Sequence, residues 1–218
     1  MADVPKIKVS AKPPIRTDAL VVLVDTGRSE ADGVDWGYLD AIGFDASVGT
    51  HALLPGDGDL VSILVGIGDR ADVSPATLRR AGAVAAQAGS SFRRLNVDFP
   101  DASSDLLDPR AAGQALAEGL VSGAYCYDRY KACDVKLRDV VVVSKLGREL
   151  SSGVQRGRVV GGAVAFARDL ANEPGGSATP AALAKVVVER AMAAGLGVTL
   201  WDEKAIAKAG LGGLIAVN

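Results

Sequence analysis

Short runs of apolar residues, separated by alanine-rich stretches, constrain the fold of this chain more than any other feature. Five runs rich in valine, leucine and isoleucine lie at residues 7–9, 19–24, 61–65, 95–97 and 140–143. Several are apolar on consecutive positions, which is typical of strands covered on both faces. The runs therefore predict a buried sheet whose strands alternate with helices.

Three helix starts are marked by a capping side chain followed by proline. They are Ser74-Pro75, Asp108-Pro109 and Thr179-Pro180. The cap accepts a hydrogen bond from a free amide of the first turn, and proline at the first helical position loses no hydrogen bond. Strands that alternate with such helices predict an α/β fold with a mostly parallel or mixed sheet flanked by helices.

A polar segment at 146–157 contains several glycines and serines, which predicts the edge of a first domain. A helix around 159–170 follows, and then a turn at Gly175-Gly176-Ser177. We expect a first domain at 1–150, a connecting helix at 151–171, and the first elements of an incomplete second α/β domain at 172–218. A chain of 218 residues is long enough for one domain and a piece of another.

Charge and composition argue against several classes of partner. The net charge is −2 and only 5% of the residues are aromatic, so we expect neither a nucleic acid nor an anionic membrane as a partner. The apolar run at 19–24 is too short for a membrane helix or a signal-peptide core. We therefore expect a cytoplasmic protein. Cys126 and Cys133 form no C-x-x-C pattern, and we expect both thiols to be reduced.

Metal ligands are sparse in the sequence. His51 is the single histidine, and no pair of thiolates accompanies it, so a structural role is favoured. The segment Asp57-Gly58-Asp59 begins like a calcium loop, but Ser62 stands where that loop needs glycine and Gly68 where it needs glutamate. The segment is better explained as a polar turn.

Candidates for acid–base or nucleophilic chemistry are equally weak. Four acids cluster in a loop that contains proline and serine, and they are Asp98, Asp101, Asp105 and Asp108. A solvated loop ending in a helix cap explains them better than a carboxylate pair does. Three lysines, Lys145, Lys185 and Lys204, lie in polar or helical settings that nominate none of them as a base.

The sharpest competing motif is Val65-Gly66-Ile67-Gly68-Asp69-Arg70-Ala71, which follows a strand and matches G-x-G-x-x-A. Asp98 closes the next strand, where a ribose-binding acid belongs in a dinucleotide fold. In that fold the helix begins within the glycines, so that its amides face the pyrophosphate. Here the helix start at Ser74-Pro75 comes later, which favours a simple glycine turn and leaves dinucleotide binding as the alternative.

Three stretches, taken in order, resemble the leucyl aminopeptidases (cytosol aminopeptidases). The first is the glycine turn at 65–70 with the helix after Ser74. The second is Ala117-Glu118-Gly119-Leu120-Val121-Ser122-Gly123-Ala124-Tyr125, followed by Tyr127-Asp128-Arg129-Tyr130-Lys131. The third is the most specific, and it reads Ala167-Arg168-Asp169-Leu170-Ala171-Asn172-Glu173-Pro174, then Thr179-Pro180. Gly176 and Ala178 stand where the family often has asparagine and a larger apolar residue.

The resemblance implies a macro-domain-like α/β N-terminal domain, a connecting helix and the entry of a catalytic domain. It also implies a parent enzyme that uses two metal ions, manganese or zinc, to release N-terminal amino acids from peptides, and that assembles as a hexamer. In the family the metal ligands lie in motifs resembling G-K-G-x-x-x-D-S-G-G and N-T-D-A-E-G-R, and neither occurs here. No catalytic, metal or cofactor-binding residue is therefore assigned in this chain, which we expect to be inactive alone.

A different class of function remains open beside this one. A macro-like sheet with the turn at Gly66 and Gly68 could serve as a free-standing module that binds a nucleotide or ADP-ribose. A structural interaction domain is the third possibility.

Overall fold

The structure is a computed structural model that describes residues 4–28, 34–56, 60–100 and 107–216. In these residues six strands form one sheet in the order β1-β6-β5-β2-β4-β3. The strands are β1 (Lys6–Ser10), β2 (Ala19–Asp25), β3 (His51–Pro55), β4 (Val61–Gly68), β5 (Arg94–Asp98) and β6 (Asp139–Val143). β3 is antiparallel to β4, and the other neighbouring pairs are parallel.

All five predicted runs are strands, and the mixed α/β architecture is confirmed. The central strands are apolar on consecutive positions because the sheet has a hydrophobic cluster on each face. Val21, Leu23 and Val97 belong to one cluster, while Val24 and Leu64 belong to the other. β3 has only the three-residue run Ala52-Leu53-Leu54 between the exposed His51 and Pro55, and the sequence predicted no strand there.

The described residues contain seven α-helices. They are α1 (Trp36–Ala41), α2 (Pro75–Ala88), α3 (Pro109–Ala124), α4 (Gly147–Ala171), α5 (Pro180–Ala193), α6 (Glu203–Lys208) and α7 (Gly212–Ile215). The three predicted starts are confirmed as caps. The side chains of Ser74, Asp108 and Thr179 accept from the amides three residues further on, at 3.3, 2.9 and 3.3 Å.

The larger core lies between the sheet and the helices α2, α3 and α4. Leu78 of α2, Leu116 and Leu120 of α3, and Leu150 and Val154 of α4 all belong to it. The smaller core lies on the other face, where Leu39 of α1 meets side chains of β2, β3 and β4. The sheet is therefore covered by three helices on one side and by one short helix on part of the other.

The backbones of α2, α3 and α4 approach so closely that glycine is required between them. A Cβ on Gly119 of α3 would collide with the carbonyl oxygen of Arg79 in α2. A Cβ on Gly153 of α4 would collide with the carbonyl oxygen of Arg110 in α3. Gly162 of α4, by contrast, has no such neighbour within 4 Å.

The polar composition of segment 146–157 does not reflect a loop, and the domain edge predicted there stays a prediction. Helix α4 begins at Gly147, and Leu150 and Val154 are fully buried in the larger core. The glycines in this segment, which suggested a loop, are instead the positions where α4 lies against α3. Because glycine serves both turns and close helix contacts, composition alone misplaced the start of the helix.

The expectation of two free thiols is also contradicted. Cys126 and Cys133 are bonded to each other, with their Cα atoms 6.2 Å apart. Cys126 lies just after the end of α3, and the loop that follows turns back on itself, with the rings of Tyr127 and Tyr130 6.1 Å apart. A spacing of seven residues without C-x-x-C did not reveal this turn.

Contacts divide the chain into two compact units, Met1–Asp169 and Leu170–Asn218. The first unit contains the sheet and most of α4. The second contains α5, α6 and α7, and none of its described residues is buried. None of the helices in the described ranges is long and apolar enough to cross a membrane.

Candidate functional site

The glycine turn at the end of β4 is held against the loop that precedes β3. Gly66 and Gly68 donate from their backbone amides to the carbonyl oxygens of Thr50 and Ala46, both at 2.9 Å. A Cβ on Gly66 would collide with the backbone of Ala46 and Ser47. Gly68 has a φ of +77°, a conformation that side chains disfavour. Both glycines are therefore explained by packing and backbone geometry.

This turn does not offer a phosphate cradle. A pyrophosphate site needs free backbone amides at a helix start. Here the amides of Gly66 and Gly68 are bonded within the protein, and the amide of Ala71 donates to the carboxylate of Asp69 at 2.9 Å. Helix α2 begins only at Pro75, and its first turn is capped by Ser74. The dinucleotide interpretation is not favoured by this geometry.

The loop that packs against Gly66 is stabilised by hydrogen bonds between Asp45 and Ser47. The carboxylate of Asp45 accepts from the hydroxyl of Ser47 at 2.7 Å and from its backbone amide at 2.9 Å. These hydrogen bonds lower the pKa of Asp45, with the hydroxyl as the larger cause. Between the two residues, Ala46 takes a φ of +60°. The contact stabilises the turn that packs on the sheet.

The carboxyl ends of the parallel strands are where α/β proteins usually bind ligands. Asp25 ends β2 and is only 3% exposed, and its carboxylate lies 3.9 Å from the guanidinium of Arg70. Asp98 ends β5 and is exposed. These two acids are therefore in different environments, and the structure does not make them an acid–base pair.

In the described residues no group of three or more His, Cys, Asp or Glu side chains could hold a metal ion. His51 is exposed at the start of β3, and Asp108 caps α3. The segment Asp57-Gly58-Asp59 and the acids Asp101 and Asp105 lie outside the described residues.

The structure brings two of the resemblance motifs together at one point. Tyr125, which follows α3, donates its hydroxyl to Asp169 at 3.1 Å. The guanidinium of Arg168 lies 3.9 Å from the centre of the Tyr125 ring and donates to the carbonyl oxygen of Ser122 at 3.4 Å. We call Ser122, Tyr125, Arg168 and Asp169 the junction clamp. It fixes the last residues of the first unit to the end of α3.

No role for these four residues was predicted from the sequence, although all of them lie in stretches that carried the resemblance. A tyrosine at a helix end and an Arg-Asp pair 43 residues later give no local signal that they touch. The lysines Lys145, Lys185 and Lys204 are all exposed, and the first lies in the turn between β6 and α4.

The second unit exposes an unusual amount of apolar side chain. Leu200 is 67% exposed, Trp201 49% and Ile215 50%. Met192, Leu196 and Leu214 are exposed as well. Exposed large apolar side chains in such number, where they form a patch, mark a surface that contacts another part of a protein or a partner.

Comparison with known proteins shows the family to which the chain belongs. Residues 41–133 match the model of the cytosol aminopeptidase family, N-terminal domain. A probable cytosol aminopeptidase of Mycobacterium marinum is 31% identical over 97% of this chain and 39% of its own length. One from Streptomyces coelicolor is 28% identical over 97% of this chain and 48% of its own length.

Solved structures agree on the fold. The bottromycin maturation enzyme BotP has a TM-score of 0.75 and 30% identity, with 91% of this chain and 42% of that chain covered. A tomato leucine aminopeptidase mutant has a TM-score of 0.80 over 95% of this chain and 47% of that chain, at 22% identity, so it shows the fold alone. The present chain spans 39% and 48% of the length of the two cytosol aminopeptidases named above.

The sheet order, the helices on both faces and these likenesses define an α/β domain of the aminopeptidase type. The chain carries the N-terminal domain of the cytosol aminopeptidase family, as the order of its three motifs predicts.

Proposed function

We propose that this chain is the N-terminal, non-catalytic portion of a leucyl aminopeptidase, and that the rest of the protein carries the chemistry. The observation that carries the proposal is the exposure of large apolar side chains in the second unit, none of whose described residues is buried. The curated relatives are at least twice as long as the part of them that this chain matches. A catalytic domain would supply the missing contacts.

In this proposal residues 1–150 are a supporting domain, 151–171 a connecting helix, and 172–218 the start of the catalytic domain. The predicted division at 150 and 171 stays a proposal about the whole protein. The supporting domain would shape access to the active site and contribute to assembly. Its mixed sheet with helices on both faces is consistent with the macro-domain-like description, which belongs to the same proposal.

The parent enzyme would release N-terminal amino acids, leucine among them, from peptides in the cytoplasm. Two divalent metal ions, manganese or zinc, would activate water and stabilise the tetrahedral intermediate. A solved structure of the bottromycin maturation enzyme BotP in complex with Mn supports a metal-dependent parent. Assembly into a hexamer is part of the proposal and is measured by mass photometry of the parent protein.

Hydrolysis of leucine p-nitroanilide tests whether this chain is catalytic without the rest of the protein. The purified 218-residue chain, with manganese or zinc added, should release no more nitroaniline than a mock purification, because no metal-binding group was found in its described residues. Metal-dependent turnover by the chain alone would contradict the proposal. Sequencing the codons after Asn218 is the second test, since a continuation with a lysine–aspartate metal motif is expected there.

A further inference from the structure

Half of one sheet face is covered by neither helix α1 nor the α2–α4 layer. β1 and β2 are parallel but are separated in the sheet by β6 and β5, and the connection between them, residues 11–18, contains no helix. Side chains alternate along a strand. Ile7, Leu95 and Val140 belong to the larger core under α2–α4, so Lys6, Lys8 and Asn96 face the opposite side.

A cleft of about 530 Å³ lies beside β1, β6 and β5, and its lining combines Lys6, Lys8 and Asn96 with Arg158 of α4. We call it the cationic cleft, and its charged lining consists of Lys6, Lys8, Arg16, Arg94, Arg158 and Asp139. Five positive groups and one negative group surround it, in a chain whose net charge is −2. Its volume lies within the usual range for small-molecule sites, roughly 300–1,000 Å³.

The cations of the cleft are not neutralised within the protein. Among the residues that the structure describes, none of the five side chains forms an ion pair. Five cations held around one concave surface with a single carboxylate, Asp139, favour binding of an anion, because their mutual repulsion is relieved when it enters.

An asparagine contributes a polar group to the lining of the cleft. Asn96 of β5 is 3% exposed and lines the cleft. It is not an unsatisfied buried group, because no fully buried side-chain polar atom among the described residues lacks a partner. Its amide can donate a hydrogen bond to a phosphate oxygen that enters the cleft.

We infer that the cationic cleft binds a compact polyanion of phosphate chemistry, carrying two or more phosphate groups. Arg16, Arg94 and Arg158 have the planar fork that suits phosphate oxygens, and Lys6 and Lys8 add point charges. Asn96 donates at the floor. The site lies entirely in the first unit and does not depend on the parent's peptidase activity.

Calorimetric titration of the 218-residue chain with tripolyphosphate, at 150 mM salt, tests the inference. The variant Lys8→Gln/Arg16→Gln removes two exposed cations of the cleft, and should weaken binding by about ten-fold or more, since a charge-assisted hydrogen bond contributes roughly 1.5–3 kcal/mol. Lys185→Gln/Lys204→Gln removes the same charge from the second unit and should leave the affinity unchanged. Asn96→Leu should also weaken binding, with thermal unfolding as the check that it folds.

Orthophosphate and an oligoglutamate peptide complete the design. Orthophosphate should bind more weakly than tripolyphosphate, because it reaches fewer of the cations. Absence of tripolyphosphate binding would overturn the inference. So would equal weakening by the two double variants, which would indicate general charge attraction, or preferential binding of oligoglutamate, which would indicate an acidic protein partner.

Discussion

The two units of this chain form their helices by the same local rules but differ completely in packing. Asp108 caps α3 in the first unit, and Asp202 caps α6 in the second by accepting from Ala205 at 2.8 Å. Leu116 and Leu120 of α3 are fully buried, whereas no residue of α5, α6 or α7 is buried. Caps and apolar periodicity specify a helix, but only a partner surface gives it tertiary stability.

Hydrogen exchange should show the largest contrast between the units. Amides of α5 should exchange close to the rate of an isolated helix, because helices of about 14 residues are marginal without packing. Amides of β6 should open only with global unfolding, which costs about 5–15 kcal/mol in a typical domain. Equal protection of the two would show that the second unit has a core of its own. It would contradict the proposal that a further domain supplies its missing contacts.

The same leucine-to-alanine truncation should lower the free energy of unfolding by several kcal/mol more in the first unit than in the second. Leu120→Ala leaves a cavity in the larger core and should lower the free energy of unfolding by about 2–5 kcal/mol. Leu196→Ala truncates a side chain that is 62% exposed, and should change the free energy of unfolding by no more than about 0.5 kcal/mol. Urea denaturation of both variants measures this. A large loss from Leu196→Ala would mean that the second unit is packed in solution.

Adding one methyl group should change the stability of the protein in opposite directions at two glycines. Gly119→Ala pushes a Cβ into the backbone of α2 and should destabilise by about 1–3 kcal/mol. Gly162→Ala meets nothing within 4 Å and should stabilise α4 by up to about 1 kcal/mol through helix propensity. Thermal unfolding reports both shifts. A neutral Gly119→Ala would show that α2 and α3 are less closely packed than the structure has them.

The junction clamp should give the smallest effect. Tyr125→Phe removes one hydrogen bond to Asp169 and should cost about 0.5–1.5 kcal/mol. The control is Tyr38→Phe, which changes a ring that is 52% exposed and should be close to neutral. If the two variants unfold at the same denaturant concentration, the clamp does not stabilise the end of the first unit.

Strands and helix starts were predictable because their signals are local. The Val-rich run of β6 and the Ser74-Pro75 cap each identify an element without reference to the rest of the chain. The glycine-rich start of α4 was not predictable. A helix that needs glycine where it packs against a neighbour has the same composition as a loop, and the sequence alone does not identify the neighbour. The family was recognisable from motifs in the sequence, and the comparisons confirm the family.

The candidate site was less predictable than the fold. Tyr125 and Asp169 meet only because α3 and α4 end side by side. The cationic cleft assembles Lys8, Arg94 and Arg158 from three separate elements. Its charges are spread through a sequence whose net charge is slightly negative, so a count over the whole chain gave no sign of a basic surface.

Pairing of the first strand with the last has a consequence for biosynthesis. β1 pairs with β6, with Ile7 opposite Val140 in the register, and β1 lies at the edge of the sheet. At a translation rate of about 5–20 residues per second, β1 therefore waits roughly 7–27 seconds for its partner. During that interval Lys6 and Lys8, which alternate with the apolar residues, give the nascent strand charges that discourage pairing with other chains.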